Sequence, residues 1–155
     1  ESRSYDAEKE HLNKVKRAME ADQLKARIKN MSVDELQALM SSVASGETLL
    51  VDLREIQEVV DLGTIPGAEH VARGMLEFWA DPLSPYYREY FQENKKIVVF
   101  CAGGGRSVYA SLALEEMGFT DVAHLEVGFN GWKKAGGAVD DVSQTSKWVR
   151  RPSKD

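Results

Sequence analysis

Two short stretches of nearly unbroken apolar sequence stand out from a mixed chain. Residues 48–53 (TLLVDL) and 97–100 (IVVF) show no polar alternation, the pattern of strands buried on both faces of a parallel sheet. Residues 122–125 (VAHL) predict a further strand, and 70–72 (HVA) a brief one. Helical spacing fills the intervals. Val33, Leu36, Leu39 and Met40 share one helix face, opened by the capping box Ser32-Val33-Asp34-Glu35 and closing near Ser45-Gly46. A short helix is expected over 55–62. Another carries Ala110, Ala113, Leu114 and Met117 inward and stops at Gly118. Residues 128–137 predict a turn, a short helix with Trp132 in the core, and a glycine stop. Alternation of strand and helix implies an α/β fold: three layers, with a mainly parallel central sheet flanked by helices.

The two ends differ from this pattern. Residues 1–30 are rich in charge and lack Gly and Pro. Leu12, Val15 and Met19 share one helix face; Leu24, Ile28 and Met31 share another, rotated from the first. This segment predicts one or two helices forming an N-terminal extension. It is expected to lie across the domain surface, with a dimerisation arm as the sharper alternative. Residues 31–139 form the domain proper. Residues 140–155 are a polar tail, expected to be loose, with Trp148 as its one large anchor. Residues 80–91 (ADPLSPYYREYF) are marked by aromatics and prolines, and fit either a packed connection or a pocket wall.

Composition narrows the classes. With 155 residues and 43% hydrophobic content, the chain can bury one core and carry an appendage. A net charge of -5 argues against a nucleic-acid partner. No apolar run is long enough to span a bilayer and no signal peptide is evident, so a cytoplasmic protein without a membrane partner is expected. The chain begins at Glu1 rather than Met, which fits removal of an N-terminal segment. The single cysteine excludes an internal disulfide and a thiolate-cluster metal site.

That cysteine is the candidate chemistry. Cys101 directly follows the 97–100 strand and precedes Ala102, Gly103, Gly104, Gly105, Arg106 and Ser107, after which a helix begins. A glycine-rich loop between a strand end and a helix start turns backbone N–H groups toward one point, and the positive end of the helix faces it. Such surroundings favour thiolate over thiol and would equally stabilise a longer sulfur anion, Cys–S–S⁻. Asp52 and Arg54 end the neighbouring strand at the same sheet edge, where ligands bind in open parallel sheets. They are expected to brace that edge as an ion pair or hydrogen-bonded pair.

Together these residues resemble the rhodanese family. The matching segments run in the family's order: Leu50-Val51-Asp52-Leu53-Arg54-Glu55, then Gly63-Thr64-Ile65-Pro66-Gly67-Ala68, then Val98 through Ser107, then Gly128-Phe129-Asn130-Gly131-Trp132. Residues 70–79 also look like a bacterial single-domain subgroup. The sequence departs at Thr64, where His is usual, at Gly105, where relatives often carry an aromatic, and at Val127-Gly128, where Gly-Gly is usual. These departures bear on substrate preference more than on fold. The resemblance implies a thiosulfate sulfurtransferase without cofactor or metal. Cys101 would attack the outer sulfur of thiosulfate or a similar donor and hold it as a persulfide. A thiol, cyanide or a sulfur-accepting protein would then take the sulfur. The loop from Ala102 to Ser107 would bind the anion. Arg106 would attract the donor or brace the loop, the first slightly preferred, and Arg73 is a weaker candidate for a second positive group. The protein would act as a monomer or as a homodimer through the N-terminal arm.

Other functions compete. A cysteine phosphatase or arsenate reductase uses a loop one residue longer between Cys and Arg, and needs a general acid, for which Asp81 is conceivable. A non-catalytic interaction module on the same fold, a redox-sensing thiol and a plain buried cysteine are the remaining alternatives. Sulfur transfer requires a thiol that is not sealed in the core. His11, His70 and His124 are not clustered, so core or surface roles are expected for them rather than metal binding.

Overall fold

A computed structural model describes residues 2–148 and 150–152. Among these described residues, five parallel strands form one sheet in the order β1-β5-β4-β2-β3. They are β1 (Lys29–Met31), β2 (Thr48–Asp52), β3 (Glu69–His70), β4 (Lys96–Phe100) and β5 (Val122–Leu125). The helices are α1 (Ser2–Lys25), α2 (Val33–Ser45), α3 (Ile56–Leu62), α4 (Leu76–Ala80), α5 (Gly105–Glu116) and α6 (Gly128–Lys134). A 3₁₀ turn, Arg73–Met75, leads into α4.

The apolar runs explain the centre of the sheet. β2 pairs with β4 along its whole length, from Thr48 opposite Lys96 to Asp52 opposite Phe100. Alternate residues feed two cores. Leu49, Val51, Ile97 and Val99 pack with Leu76, Ala110, Leu114 and Phe91 on one face. Leu50, Val98 and Phe100 pack with Leu36, Leu125, Phe129 and Trp132 on the other. Helices on both sides make three layers, the arrangement that buries parallel strands. The capping box forms as its residues imply: Glu35 N–H donates to Ser32 Oγ (3.1 Å) and Ser32 N–H to Glu35 Oε1 (3.2 Å).

Four expectations change. The segment 1–30 is not wholly helical: the chain leaves α1 after Lys25 and enters the sheet as β1, where Asn30 pairs with His124. Ile28 and Met31 are buried by this strand rather than by a helix face. Second, α1 does not lie across the domain. Residues 5–23 are all exposed, with Leu12 at 67% and Met19 at 59%. Its apolar positions are too few and too interrupted by charge to hold 24 residues, a rod about 36 Å long, against the surface. Third, Trp148 is not an anchor, being 54% exposed. Two arginines attach the tail instead: Arg151 donates to Asp61 (2.7 and 2.9 Å), and Arg150 Nε donates to Val60 O (3.3 Å). Last, β3 ends at His70, although Val71 N–H still donates to Asp52 O (2.9 Å).

Candidate active site

β2 and β4 end side by side, which places Asp52–Arg54 and Cys101 on one edge of the sheet. The Cys101 loop is held from behind by α6. Phe129 N–H donates to Cys101 O (2.8 Å) and Asn130 N–H to Ala102 O (3.0 Å). Gly128 must be glycine there, since its φ is +66° and a Cβ would collide with Ala102 O. Gly104 is equally constrained: its φ is +103°, and a Cβ would strike Glu126 O. Gly103 and Gly105 face open space.

Gly104 N–H donates to Cys101 Sγ at 3.2 Å. Gly104 is the N-cap of α5, so the N–H groups of Gly105, Arg106 and Ser107 open the helix beside it without intrahelical acceptors. Ser107 Oγ lies 3.7 Å from the sulfur and is itself buried. Cys101 is 1% exposed, lower than an open nest would leave it. Cys101 belongs to the core cluster with Val99, Ala110 and Leu114, a departure from the accessible thiol expected of a sulfur carrier, while Ala102, Gly103 and Gly105 beside it reach solvent. With the thiol covered to this degree, a donor reaches Sγ only after a local opening of the surrounding loop.

Arg106 does not project free over the thiol. Its two Nη atoms donate to the two carboxylate oxygens of Glu58 (2.8 and 3.0 Å). Glu58 also accepts from Glu55 N–H at the start of α3 (2.8 Å). The Arg106 hydrogen bonds, more than its charge, hold the Glu58 carboxyl below its ordinary range. Glu58 in turn, with smaller contributions from the charge of Cys101 and from hydrogen bonding to it, raises the guanidinium above its own.

Asp52 and Arg54 form a fully buried bidentate pair: Nη2 to Oδ2 is 2.7 Å and Nε to Oδ1 is 3.0 Å. Thr64 Oγ1 donates to Asp52 Oδ2 (2.7 Å), and Arg54 Nη2 donates to Gly63 O (2.7 Å). The guanidinium lies 4.1 Å from the Phe129 ring centroid. The same Phe129 holds the Cys101 carbonyl, so the brace and the thiol loop share one residue. Arg73 N–H donates to Leu53 O (3.0 Å), but its side chain pairs with Glu77 (2.7 Å). Among the described residues, no recorded contact of Arg73 reaches the Cys101 loop.

The segment 80–91 serves a different place. Ala80, Asp81, Tyr87 and Phe91 line a cleft of about 350 Å³ with Met117 and Phe119. Those last residues follow α5, whose 12 residues put the cleft roughly 18 Å along the helix from Cys101. Asp81 is therefore not brought to the thiol. His124, by contrast, is buried behind it: Nδ1 is 2.8 Å from Ser107 Oγ, and Nε2 is 2.7 Å from Asn30 Oδ1. Burial, the largest influence, holds its imidazole below the ordinary value. Nothing in the sequence spacing pointed to His124, Asn30 or Glu58, because each reaches the loop from a different element.

The chain has relatives among known proteins. The "Putative sulfurtransferase YtwF" of Bacillus subtilis (strain 168) is 33% identical over 97 residues, covering 62% of this chain and 84% of that protein. The "Putative sulfur carrier protein YrkF" of the same organism is 33% identical over 98 residues, covering 63% of this chain. The chain spans about half of YrkF, 48% of its length. Among solved structures, RPA3614 of Rhodopseudomonas palustris CGA009 is 43% identical, with a TM-score of 0.72 over 77% of this chain and 90% of that one. It is described as a protein of unknown function and a possible tyrosine phosphatase. The family model for the rhodanese-like domain matches residues 32–135, from the α2 cap through α6 with the whole Cys101 loop inside it. On that match the chain belongs to the rhodanese-like domain family.

Proposed function

We infer that the protein is a sulfurtransferase that carries a sulfane sulfur on Cys101. The observation that carries this most is the Gly104 N–H donated to Sγ at the mouth of α5. It is a fixed donor to a sulfur anion, in place before any charge develops. The names of YtwF and YrkF support the same class of chemistry.

In the first step the Cys101 thiolate attacks the outer sulfur of thiosulfate. A new S–S bond forms, the donor's S–S bond breaks, and sulfite leaves with the electron pair. The product is Cys101–S–S⁻, resting against the same amides. In the second step an acceptor thiolate or cyanide attacks the terminal sulfur, and the Cys101 thiolate returns. The loop must part to admit each reactant, since the thiol is covered. Gly103 and Gly105, exposed and unhindered by neighbouring atoms, are the positions at which we place that opening. Arg106 serves this reading better as a brace than as a donor-attracting charge, because both its Nη atoms are committed to Glu58. Arg73, paired with Glu77, contributes positive potential only at a distance. A lone thiol working this way needs a reducing compartment, for which the cytoplasm is our proposal.

The description of RPA3614 gives tyrosine dephosphorylation standing as a second reading. A phosphatase loop needs its arginine free to chelate a phosphate and an acid to protonate the leaving oxygen. Arg106 is held by Glu58, and Asp81 lies in the distant cleft. Assay of thiosulfate:cyanide sulfur transfer beside aryl-phosphate hydrolysis tests the two. Sulfur transfer that disappears in Cys101→Ser, with no phosphate release by the wild type, is the expected outcome. Phosphate release that depends on Cys101, without thiocyanate formation, would replace the proposal.

A further inference from the structure

Behind the thiol, three adjacent strands hand one hydrogen-bonded chain across the sheet. Cys101 follows β4, His124 lies on β5 and Asn30 on β1, in the order in which those strands pair. The direction of each bond can be worked out from the far end. Asn30 Nδ2 donates to Lys25 O (3.0 Å) and to Ile28 O (3.4 Å), which fixes its Oδ1 toward His124 Nε2 at 2.7 Å. A carbonyl oxygen only accepts, so Nε2 carries the proton and a neutral ring leaves Nδ1 bare. Nδ1 then accepts from Ser107 Oγ at 2.8 Å. Ser107 Oγ also lies 3.1 Å from Gly104 O, but its one proton serves one acceptor at a time, and Nδ1 is otherwise unpaired. With its proton so placed, Ser107 offers a lone pair to the Cys101 thiol at 3.7 Å. Every donor in the chain points away from the sulfur and toward the end of α1.

We propose that His124, acting through Ser107 and oriented by Asn30, takes up the Cys101 thiol proton as the sulfur ionises. The thiol proton passes to Ser107 Oγ while the Ser107 hydroxyl proton passes to His124 Nδ1. A neutral thiol and imidazole become a thiolate and an imidazolium, and Ser107 ends as it began. No oxidant or co-reactant takes part. The imidazolium keeps Asn30 Oδ1 as acceptor for its Nε2–H, and the sulfur keeps the Gly104 N–H. Once ionised, the ring donates Nδ1–H to Ser107, which frees the hydroxyl to donate to the sulfur anion. His124 and Asn30 are thus positioning residues, and the relay rests on the sulfur-transfer role of Cys101.

Burial is the largest influence on the ring and opposes the imidazolium, so the resting ring is neutral and takes the proton only against the sulfur anion that forms beside it. The surrounding charges are mixed. Glu126 beyond β5 favours the imidazolium, and Lys25 at the end of α1 opposes it. Arg106 on α5 favours the thiolate and is largely balanced by Glu58 on α3. None of these is hydrogen-bonded to the imidazole, so the direct link through Ser107 should dominate the coupling.

Ultraviolet absorbance of the thiolate against pH tests the relay on the full chain, with Cys101→Ser as the blank. It needs no reagent to enter the loop. His124→Asn keeps a hydrogen-bonding partner for Ser107 but cannot take a proton, and should raise the thiolate midpoint by about one pH unit. Asn30→Asp puts a carboxylate on Nε2 and should lower it by about as much. A purely structural role would not move the midpoint in opposite directions. Coincidence of both variants with the wild type overturns the relay. If His124→Asn does not fold, Asn30→Asp decides alone: a lowered midpoint supports the relay, and an unchanged or raised one refutes it. The titration uses the free thiol without a donor. Failure of the wild type to load sulfur would refute the transfer reaction and leave the titration result intact.

Discussion

The carboxyl ends of β2 and β4 are neighbours in the sheet and opposites in chemistry. At the end of β2, Asp52 accepts from Arg54 Nε, Nη2 and N–H and from Thr64, all buried. Side chains meet side chains there, and the charges are spent on one another. At the end of β4, Cys101 Sγ has one backbone N–H, a hydroxyl 3.7 Å away and the weaker influence of Arg106, in a loop with no Cβ at three successive positions. A satisfied acceptor holds structure, and an acceptor left with capacity does chemistry. The two edges are linked, because Phe129 stacks on Arg54 and holds the Cys101 carbonyl. The ion-paired end therefore acts as the foundation on which the reactive end is set.

The largest effect should come from the foundation. Asp52→Ala leaves a fully buried guanidinium without its counter-charge, at a cost of about 3–5 kcal/mol. Chemical denaturation should show that loss, whereas a drop under about 1 kcal/mol would mean that water or a rearranged Arg54 makes good the pair. Next, Gly104→Ala forces a left-handed φ and a collision with Glu126 O. About 2 kcal/mol or more of stability should go, together with sulfur transfer. Gly105→Ala one position along faces open space and should stay within about 0.5 kcal/mol. Equal effects at the two glycines would erase the distinction between the held and the open parts of the loop.

A smaller, pH-dependent contrast involves His124. Burial depresses its folded-state value, so between that value and about 6.5 the unfolded chain binds a proton that the folded chain refuses. The stability contributed by the neutral ring is complete above about pH 6.5 and falls as the pH drops through that window. Glu58 acts in the same direction but only below about pH 4.5, where Arg106 holds its carboxylate ionised in the fold. Thermal melts from pH 7 to pH 5 should show the histidine phase alone, and His124→Asn should flatten it.

The central fold was legible because burial writes itself into composition. Strands enclosed on both faces are continuous apolar runs, and β2 and β4 both show one. The loop after β4 was legible for a related reason: a run of three glycines marks an unusual backbone course, although only Gly104 makes the close approach, to Glu126 O. What stayed hidden was settled by long-range pairing. Lys29–Met31 has one buried residue in three and is a strand only because β5 lies beside it. Its Asn30 could not be linked to His124 before that strand was known. Glu58 and Arg106 are 48 residues apart, and neither sequence neighbourhood announces the other. α1 carried apolar positions that looked sufficient for packing, but the domain buries itself without them. The tail is held to α3 by Arg150 and Arg151 rather than by its tryptophan, a link hidden because their partners Val60 and Asp61 are 90 residues away in sequence.

Intact-mass measurement of the reduced protein after exposure to thiosulfate tests the sulfur-carrying role of Cys101 most directly. The expected result is a gain of one sulfur atom, mapped to the peptide containing Cys101, absent in Cys101→Ser and removed by a small thiol. An unchanged mass in wild-type protein whose loop thiol is shown to be reduced would contradict it.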